Sequence, residues 1–563
     1  MAIKRKKKHG RIYREEYRSI RVDGKVKSIY VRSLGPENPV DKVPKPKPKV
    51  LDRLEHGSSH RAGDAALLWE LARELDFVNT IDRICCEGEV EGISPGKLLT
   101  AWAINRAIDP ICATELENWI PITDLPRLMG LNPTDFTKEA FLTALDFVCY
   151  EDRGSGRFID FTKQIDEALY RRWRKRHPLH PGEKETIAYD LTSVLFFGVT
   201  CPLAELGYNP KGIKRRQVNL ALIVSRQDKC PVTHFVYNGG RNSSSTVKNL
   251  LTRLMDTSIE PGTIIWDRGN VSKTHVENVE SAGWKLICGL PKTSREVRNI
   301  IDKTDIPLDP NTFIHKSRSG HIYADKTRGQ LFGRERSVVV YVNQNQRIGE
   351  INAQNEALAE IGKKLDALNV RKGKWSEAEL HKEINSIVDS WGKYIYTRVK
   401  RGEGPSIEWK YKTREMAGAE RSCGKYVLLS TDESLSAQEV VRSYFEKDYI
   451  EKVFRILKTS EEMEPVRHRL ERRVRAYMFV CVLAYRLLAD LQYRLKMISN
   501  QEDTWESADV FLRGLGMVER VQVRLGHQVK TWYLNLTKKN KETLRKMGLQ
   551  NLLKESVDVD FKL

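Results

Sequence analysis

The spacing of apolar residues along the chain changes at about residue 185. Before that point, apolar side chains recur every three or four positions, which is typical of amphipathic helices. After it come short apolar runs, several of them alternating with polar residues, which indicate β-strands. The predicted helices are 65–75, 95–107, 138–148 and 159–173; the predicted strands are 186–191, 217–225, 231–237, 263–266 and 284–290, with helices at 244–255 and 272–281 on either side of the fourth strand.

The order of the later elements predicts the fold class. Three strands in a meander are followed by helix, strand, helix and strand, which is the order of an RNase H-like mixed sheet, so the predicted class is α/β (α+β). Residues 293–424 interrupt this order with strand-like runs at 337–343 and 394–399 and a polar helix at 348–368, and we interpret them as an insertion domain. A strand at 425–430 and a long helix at 466–496 then resume the core.

The chain therefore divides into six predicted regions. In the first, an Asp23-Gly24 turn inside 18–34 is a strong hairpin signal. A flexible basic arm precedes this hairpin at 4–8, and a stiff proline-rich linker follows it at 44–48. The regions are the basic arm, hairpin and Pro/Lys linker (1–50), a helical DNA-binding region (51–182), the first part of the RNase H-like core (183–292), the insertion (293–424), the second part of the core (425–500) and a C-terminal region suited to dimerisation or DNA contact (501–563).

Composition indicates the kind of partner. The 563 residues carry a net charge of +20 and a pI of about 9.4, and residues 1–50 alone hold sixteen Lys or Arg against five Asp or Glu. This surplus favours a polyanion, foremost nucleic acid, with a solubilising tail as the alternative for the arm. No apolar run is long enough to span a bilayer, so no membrane partner is expected. Nine scattered cysteines without a Cys-x2-Cys pair favour a reducing cytoplasm.

Three carboxylates are candidates for a metal site. Asp190 lies inside the first predicted strand, where a charge is costly unless it is paired or bound to a metal. Asp267 ends the fourth strand, and ligands bind at the carboxyl ends of strands in such sheets. Glu451 lies on a predicted helix that begins at Ser436, three residues before Glu439, which is the capping-box spacing. An N-cap or a buried salt bridge is the alternative role for each aspartate taken alone.

The polar edge of that helix adds residues to the candidate site. At about 100° per residue, one narrow arc holds Tyr444, Lys447, Glu451 and Lys458, next to an apolar arc that packs on the core. A solvated face with ordinary charge pairs is the alternative. Because the first and fourth strands of an RNase H-like sheet are neighbours, the three carboxylates could instead hold two Mg²⁺ ions about 3.5–4 Å apart.

These motifs resemble those of a known family. The segment Tyr444-x2-Lys447-x3-Glu451-x6-Lys458 resembles the Tyr-x2-Arg-x3-Glu-x6-Lys signature of a large group of bacterial and archaeal insertion-sequence DDE transposases, which carry a β-strand insertion before the catalytic Glu. Lysine replaces the family arginine at 447, which keeps the charge and loses bidentate phosphate binding. Tyr189-Asp-Leu-Thr-Ser193 and Trp266-Asp-Arg-Gly-Asn270 resemble the two Asp motifs, and the resemblance covers nearly the whole chain.

The resemblance implies an enzyme and its cofactor. A transposase of this group binds the terminal inverted repeats of its own insertion sequence, hydrolyses DNA at the element ends and joins the 3′ ends to target DNA. In related members, excision passes through a DNA hairpin. Asp190, Asp267 and Glu451 would be the catalytic and metal-binding residues for two Mg²⁺ ions, with Mn²⁺ as a substitute. A homodimer in the synaptic complex and a prokaryotic, nucleoid-associated location are also implied.

Several other residues are candidates for DNA contact. By analogy with the family, Tyr444, Lys447 and Lys458 contact phosphates near the cleaved bond. A basic segment between the first two strands lies at the expected mouth of the site, with a solvated hairpin as the alternative: Lys211, Lys214, Arg215 and Arg216. Three insertion tryptophans could stabilise a flipped base, or could be core residues: Trp375, Trp391 and Trp409.

Two further functions are compatible with the sequence. The first is an RNase H-like structure-selective nuclease or resolvase that does not transfer strands. The second is an inert, domesticated DNA-binding protein. The large insertion favours the transposase over the first, and the presence of all three carboxylates argues against the second.

Overall fold

The computed structural model divides the chain into two compact units. One is Met1–Ser58 with Val521–Trp532 and Glu555–Leu563, and the other is Ser59–Arg520 with Tyr533–Lys554. The predicted linker at 44–48 lies outside the described residues. Those residues are 1–8, 11–37, 54–86, 88, 91–152, 154–209, 212–257, 259–317, 320–370, 376–400, 406–499, 507–525 and 528–559.

Helices and strands are distributed along the whole chain. The helices are α1 Gly63–Glu74, α2 Phe77–Cys85, α3 Pro95–Ile108, α4 Leu116–Trp119, α5 Leu125–Met129, α6 Lys138–Val148, α7 Thr162–Arg176, α8 Val247–Asp256, α9 Lys273–Ser281, α10 Arg295–Lys303, α11 Gln344–Val370, α12 Glu377–Val388, α13 Thr413–Ser422, α14 Ala437–Glu446, α15 Asp448–Arg455, α16 Glu471–Ile498, α17 Ala508–Gly516 and α18 Lys538–Lys546. The strands are β1 Ala2–Lys8, β2 Arg11–Val22, β3 Lys25–Pro36, β4 Leu54–Arg61, β5 Cys149–Glu151, β6 Phe158–Asp160, β7 Thr186–Leu195, β8 Glu205–Leu206, β9 Arg216–Ser225, β10 Pro231–Asn238, β11 Thr263–Trp266, β12 Lys285–Gly289, β13 Phe313–Ser317, β14 Gly320–Leu331, β15 Arg334–Asn343, β16 Ile395–Lys400, β17 Ser406–Tyr411, β18 Lys425–Ser430, β19 Glu519–Leu525, β20 Gln528–Leu534 and β21 Ser556–Val559.

A ten-stranded central sheet confirms the predicted fold class. Its order is β10-β9-β7-β11-β12-β18-β15-β14-β13, with β8 paired to β9. Strand β7 pairs antiparallel with β9 and parallel with β11, and β11 pairs parallel with β12. The meander β7-β9-β10 followed by β11 and β12 is the RNase H-like arrangement. The first and fourth core strands, β7 and β11, are therefore neighbours.

The sheet continues into the region that was predicted to be an insertion. Strand β18 pairs antiparallel with β12 and with β15, and β15, β14 and β13 follow as antiparallel neighbours. Residues 313–343 thus extend the central sheet. A separate small core, which includes Leu358, Leu365, Leu380 and Ile384, forms only among the later elements from α11 to β17. The predicted domain boundaries stay predictions.

Helix α16 is largely buried beside the sheet. Its apolar residues are buried on almost every side between Val474 and Leu495. It contacts α3 and α6 of the helical region on one side and β10 of the sheet on the other. The apolar stripe predicted for 466–496 is therefore core. No helix within the described ranges is long and apolar enough to cross a membrane.

The N-terminal residues form a three-stranded antiparallel sheet in the order β1-β2-β3. The predicted hairpin is confirmed: β2 and β3 flank Asp23 and Gly24, and Gly24 has the left-handed φ of 73° that such turns require. The expectation of a flexible arm at 4–8 is wrong, because these residues lie in β1 and pair with β2. Repulsion between the lysines favours an extended backbone in this arm. The arm is a strand because this extended backbone pairs with β2.

Candidate active site

The sheet brings two of the three predicted carboxylates together. Asp190 lies within β7, opposite Leu222 of β9. The parallel register of β11 against β7 pairs Ile265 with Ala188. Continuing this register by two residues places Asp267, which directly follows β11, opposite Asp190. The two aspartates therefore lie at one level on neighbouring parallel strands.

Asp190 is held in a setting that opposes its charge. Burial raises the pKa of this carboxyl to about 6, and the negative charges of Asp267 and Glu451 act in the same direction. The backbone N–H of Leu191 and the ammonium of Lys447 lower it, but by less. A carboxylate within a strand, close to two others, is costly in the absence of a cation.

Asp267 has partners that Asp190 lacks. Its Oδ1 accepts hydrogen bonds from the Tyr444 hydroxyl and the backbone N–H of Arg268, both at 2.9 Å. The Nζ of Lys447 lies 3.6 Å from the same oxygen. Burial raises the pKa of Asp267, but Lys447 and the two hydrogen bonds outweigh it, so the pKa falls below its ordinary value. Asp267 therefore loses its proton at a lower pH than Asp190 does.

A glycine on the next strand makes room for the tyrosine. Gly289 ends β12, one strand beyond β11, and the register of the two strands places it beside Asp267. A Cβ at this position would lie 2.6 Å from the Tyr444 hydroxyl oxygen and 3.2 Å from Cζ of the same ring. Tyr444 can therefore reach Asp267 only because residue 289 has no side chain. A glycine at the end of an apolar strand is a known sign of such a close approach, and it could have been found in the sequence.

The prediction of one continuous helix from Ser436 to Lys458 is wrong. Helix α14 ends at Glu446, α15 begins at Asp448 with Lys447 between them, and a π-helix follows at Ile456–Ser460. The two helices pack on separate cores, which explains the break. Val440 and Val441 of α14 pack with Ile265 and Leu428, whereas the apolar residues of α15 join the main core.

The residues that were expected on one arc lie on both sides of this break. Tyr444 and Lys447 face Asp267, whereas Glu451 is exposed on the first turns of α15. Lys458, in the π-helix, donates a hydrogen bond to the carbonyl of Ser193 on β7. The structure thus gathers Asp190, Asp267, Tyr444 and Lys447 closely, with Glu451 near enough for its charge to act on Asp190.

The predicted basic segment lies farther along the sheet. Lys211 is outside the described residues, Lys214 and Arg215 are exposed, and Arg216 begins β9. The guanidinium of Arg215 lies over the Phe197 ring, 4.0 Å from its centroid. Gln217, the next residue of β9, pairs with Leu195 of β7, five residues beyond Asp190. At about 3.3 Å per residue this segment lies roughly 17 Å along the strand from Asp190.

The insertion tryptophans that the structure describes are packed residues. Trp409 donates a hydrogen bond of 2.8 Å to Asp366 and lies against Gly362 of α11. Trp391 packs against the small core of the insertion, and Trp375 is outside the described residues. These contacts match the alternative of core tryptophans.

The donor set has the chemistry of a site for a hard divalent cation, although it is not closed around one. Within the part of the chain that the structure describes, no three His, Cys, Asp or Glu side chains lie close enough together to hold a metal ion. Oxygen ligands from carboxylates are nevertheless what Mg²⁺ and Mn²⁺ prefer. Burial is the main cause of the raised pKa of Asp190, and a bound cation would favour its charged form, as Lys447 already does in part.

The fold and the site together define an RNase H-like protein that carries two aspartates side by side, one in β7 and one directly after the neighbouring parallel strand β11. A family model described as "Transposase DDE domain" matches residues 181–487, which is more than half of the chain. The chain belongs to this transposase family. No curated protein matches it in sequence.

Two solved structures are similar to the chain at low sequence identity. One is a cryo-EM structure of the piggyBac transposase synaptic complex with hairpin DNA, with 11% identity, 87% of this chain and 86% of that chain covered, and a TM-score of 0.39. The other is the Drosophila P element transposase strand transfer complex, with 13% identity, coverage of 78% and 89%, and a TM-score of 0.20.

Proposed function

We propose that this protein is a DNA transposase that binds the terminal repeats of its own insertion sequence, cleaves at the element ends and joins the 3′ ends to target DNA. The observation that carries the proposal is the pair Asp190 and Asp267, side by side on neighbouring parallel strands within the segment that matches the transposase family. The signature from Tyr444 to Lys458 supports membership of the insertion-sequence group with a β-strand insertion. A homodimer and a cytoplasmic location are part of the same proposal.

The three carboxylates would hold Mg²⁺ in this proposal. When bound, the metal acts as a Lewis acid that lowers the pKa of the attacking water or 3′-hydroxyl and stabilises the leaving oxyanion. Asp190 and Asp267 supply a preformed pair of ligands. Glu451, which is exposed at the start of α15, would complete the set when DNA and metal are present.

The neighbouring residues prepare these ligands. Tyr444 fixes the orientation of Asp267 through its 2.9 Å hydrogen bond, and Gly289 provides the space for that contact. Lys447 neutralises part of the charge of the aspartates before DNA binds, and it can then turn to a phosphate oxygen as a point charge. Lys458, tied to the end of β7, adds a second positive charge for the DNA backbone.

Cleavage and joining of DNA from the regions that flank the gene would test the proposal. We expect Mg²⁺-dependent nicking at the element ends and transfer of pre-cleaved 3′ ends by the wild-type protein. Asp190→Asn, Asp267→Asn and Glu451→Gln should each abolish both reactions. Asp325→Asn is a matched control, because Asp325 is an exposed aspartate on β14 of the same sheet.

Each outcome of this assay assigns a function. Cleavage without joining would support the nuclease or resolvase instead. Binding without cleavage by the wild-type protein would support the inert DNA-binding protein. Full activity in all three carboxylate variants would contradict the site.

A further inference from the structure

The sheet edge farthest from the insertion carries a cavity of about 300 Å³. It lies along the edge strand β10 and is bordered by α8 and α16. Three of its lining residues are arginines that come from different elements, and one is an aspartate, Asp160. The lining residues are Asp160, Thr162, His234, Phe235, Val236, Tyr237, Asn238, Arg241, Asn249, Arg253 and Arg475.

Two of these arginines enclose a pair of stacked aromatic rings. The rings of Phe235 and Tyr237 are nearly parallel, with centroids 5.7 Å apart and an interplanar angle of 11°. The guanidinium of Arg253 lies 4.6 Å from the Phe235 centroid, and that of Arg241 lies 5.4 Å from the Tyr237 centroid. A guanidinium that stacks on a ring through its face keeps its N–H edge available for an oxyanion.

Neither of these two arginines forms a direct ion pair in the part of the chain that the structure describes. Among the described residues, no carboxylate oxygen lies within 4 Å of Arg241 or Arg253. Their hydrogen bonds go to hydroxyl oxygens instead, at 3.2 Å to Ser245 and to Thr233 respectively. Burial lowers the pKa of Arg253, and the more distant carboxylates of Asp166, Asp160 and Asp256 offset only part of this effect.

The other charged groups of the cavity are already engaged. Arg475 pairs with Glu471 at 2.8 Å and donates to the carbonyl of Val236, also at 2.8 Å. Asp160 accepts hydrogen bonds from the backbone N–H and hydroxyl of Thr162 through Oδ1. The Nδ1–H of His234 donates a hydrogen bond to the buried carboxylate of Asp166. Arg241 and Arg253 are therefore the lining arginines that have no direct ion pair within the described ranges.

We propose that this cavity binds a phosphate group of the DNA backbone, held by Arg241 and Arg253. The proposal rests on the proposed function, because it takes DNA as the source of the phosphate. Its position suits that role. His234 of β10 pairs with Leu222 of β9, which pairs with Asp190 of β7. Two strand spacings, about 10 Å, therefore separate β10 from β7. Phe235, Tyr237 and Arg253 lie on the sheet face opposite to Asp190, so a DNA backbone would reach the two arginines by passing the β10 edge.

Salt-dependent DNA binding tests the proposal directly. The slope of log K against log[salt] is negative, and each phosphate contact that is lost makes it less steep by about 0.9. We expect the double variant Arg241→Gln/Arg253→Gln to bind a DNA duplex with a slope that is less steep by about 1 than that of the wild-type protein. The matched control is Arg73→Gln/Arg513→Gln, which removes the same formal charge from arginines paired with Glu70 and Asp509. Equal slopes and affinities for the two double variants would overturn the proposal.

Two further measurements keep the outcome interpretable. Arg241 is exposed, so the single variant Arg241→Gln should fold even if loss of Arg253 impairs packing, and it should lower the affinity more than Arg513→Gln does. Thermal unfolding with inorganic phosphate separates the two sources of phosphate. Stabilisation of the wild-type protein alone, with an unchanged DNA slope, would assign the cavity to free phosphate and overturn the DNA proposal.

Failure of the proposed function would look different. If the wild-type protein neither cleaves nor joins DNA, while Arg241→Gln/Arg253→Gln still has the less steep slope, the cavity proposal holds and the catalytic proposal fails. If cleavage and joining occur but the slopes of the two double variants agree, only the cavity proposal fails.

Discussion

Asp190 of the candidate site lies where its negative charge opposes the stability of its own strand. Burial and two neighbouring carboxylates raise its pKa, whereas the hydrogen bonds and lysine around Asp267 lower the pKa of that residue. The sequence could predict the presence of both aspartates in strands, because a charge in an apolar run is conspicuous. It could not predict their unequal environments, because Tyr444 and Lys447 come from a helix far along the chain.

We predict that Asp190→Asn stabilises the protein in metal-free buffer at neutral pH. A folded pKa of about 6, above the ordinary value of 3.8, means that the stability of the wild-type protein is fully present below pH 4 and is lost as the pH rises to 6. The shift corresponds to roughly 2–3 kcal/mol. The asparagine variant should lack this loss, so the difference in unfolding free energy should grow between pH 4 and pH 6 and then level off. Chemical denaturation across that range measures it, and a pH-independent difference would contradict the assignment.

Gly289 provides a second prediction at the scale of single residues. Gly289→Ala should push the Tyr444 hydroxyl away from Asp267, since the new Cβ would lie 2.6 Å from it. Loss of a residue that orients a metal ligand typically costs about 10–100-fold in activity. DNA cleavage should fall by that factor, and Tyr444→Phe should cause a similar loss.

A double-mutant cycle identifies the cause. In the Tyr444→Phe background, Gly289→Ala should add little, because the clashing oxygen is gone. Gly418→Ala in α13 is the control, since a Cβ there meets nothing within 4 Å. Additive losses from the two substitutions would show that Gly289 acts through another route.

At the scale of elements, local signals in the sequence predicted the helices and strands of the core well. The capping box at Ser436 is present: its hydroxyl accepts from the N–H of Glu439, whose carboxylate accepts from the N–H of Ser436. The strand at 263–266 and the strand at 425–430 have the predicted limits. The break at Lys447 was not predicted, because it depends on which core each half of the helix meets.

The cap of α14 supports a prediction with a built-in control. Ser436→Ala should lower the unfolding free energy by about 1 kcal/mol. It should also reduce DNA cleavage, because α14 carries Tyr444 to Asp267. Ser376 caps α12 in the same way, with Glu379 as its partner, and α12 lies in the insertion. Ser376→Ala should destabilise by a similar amount and leave cleavage at the wild-type rate; equal loss of cleavage in both variants would contradict a specific role for α14.

At the scale of the whole molecule, the composition indicated a large positive charge, and the structure shows where much of that charge lies. The N-terminal sheet holds much of the +20 net charge, on a three-stranded surface whose side chains are mostly exposed. One lysine of β1, Lys4, lies 4.8 Å from the ring centroid of Tyr17 on β2. Basic side chains interspersed with aromatic ones suit a nucleic-acid surface.

We predict that the β1 lysines contribute to DNA affinity through charge alone. Replacing Lys4, Lys6 and Lys7 by glutamine should make the slope of log K against log[salt] less steep by about 0.9 for each phosphate contact that is lost. The same positions changed to arginine keep the charge and should leave the slope as it is. Fluorescence anisotropy at several salt concentrations measures both variants, and an unchanged slope in the glutamine variant would favour the solubilising tail.

The sequence by itself determined the RNase H-like core, the residue types of the candidate site and the basic character of the protein. Each of these follows from local information: the period of apolar residues, a charge within an apolar strand and the balance of Lys and Arg over Asp and Glu. The Tyr444-to-Lys458 spacing is local in the same sense.

Only the tertiary structure decided how these parts meet. The extension of the sheet through β18, β15, β14 and β13, the space beside Gly289 and the arginine cavity at β10 all join residues that are far apart in the chain. The break between α14 and α15 also depends on such distant contacts. Long-range pairing and packing depend on which surfaces come together after folding, and no local pattern records them. The sequence predicted three carboxylates as one set, and the fold places Asp190 and Asp267 side by side, with Glu451 exposed on α15 and near enough for its charge to act on Asp190.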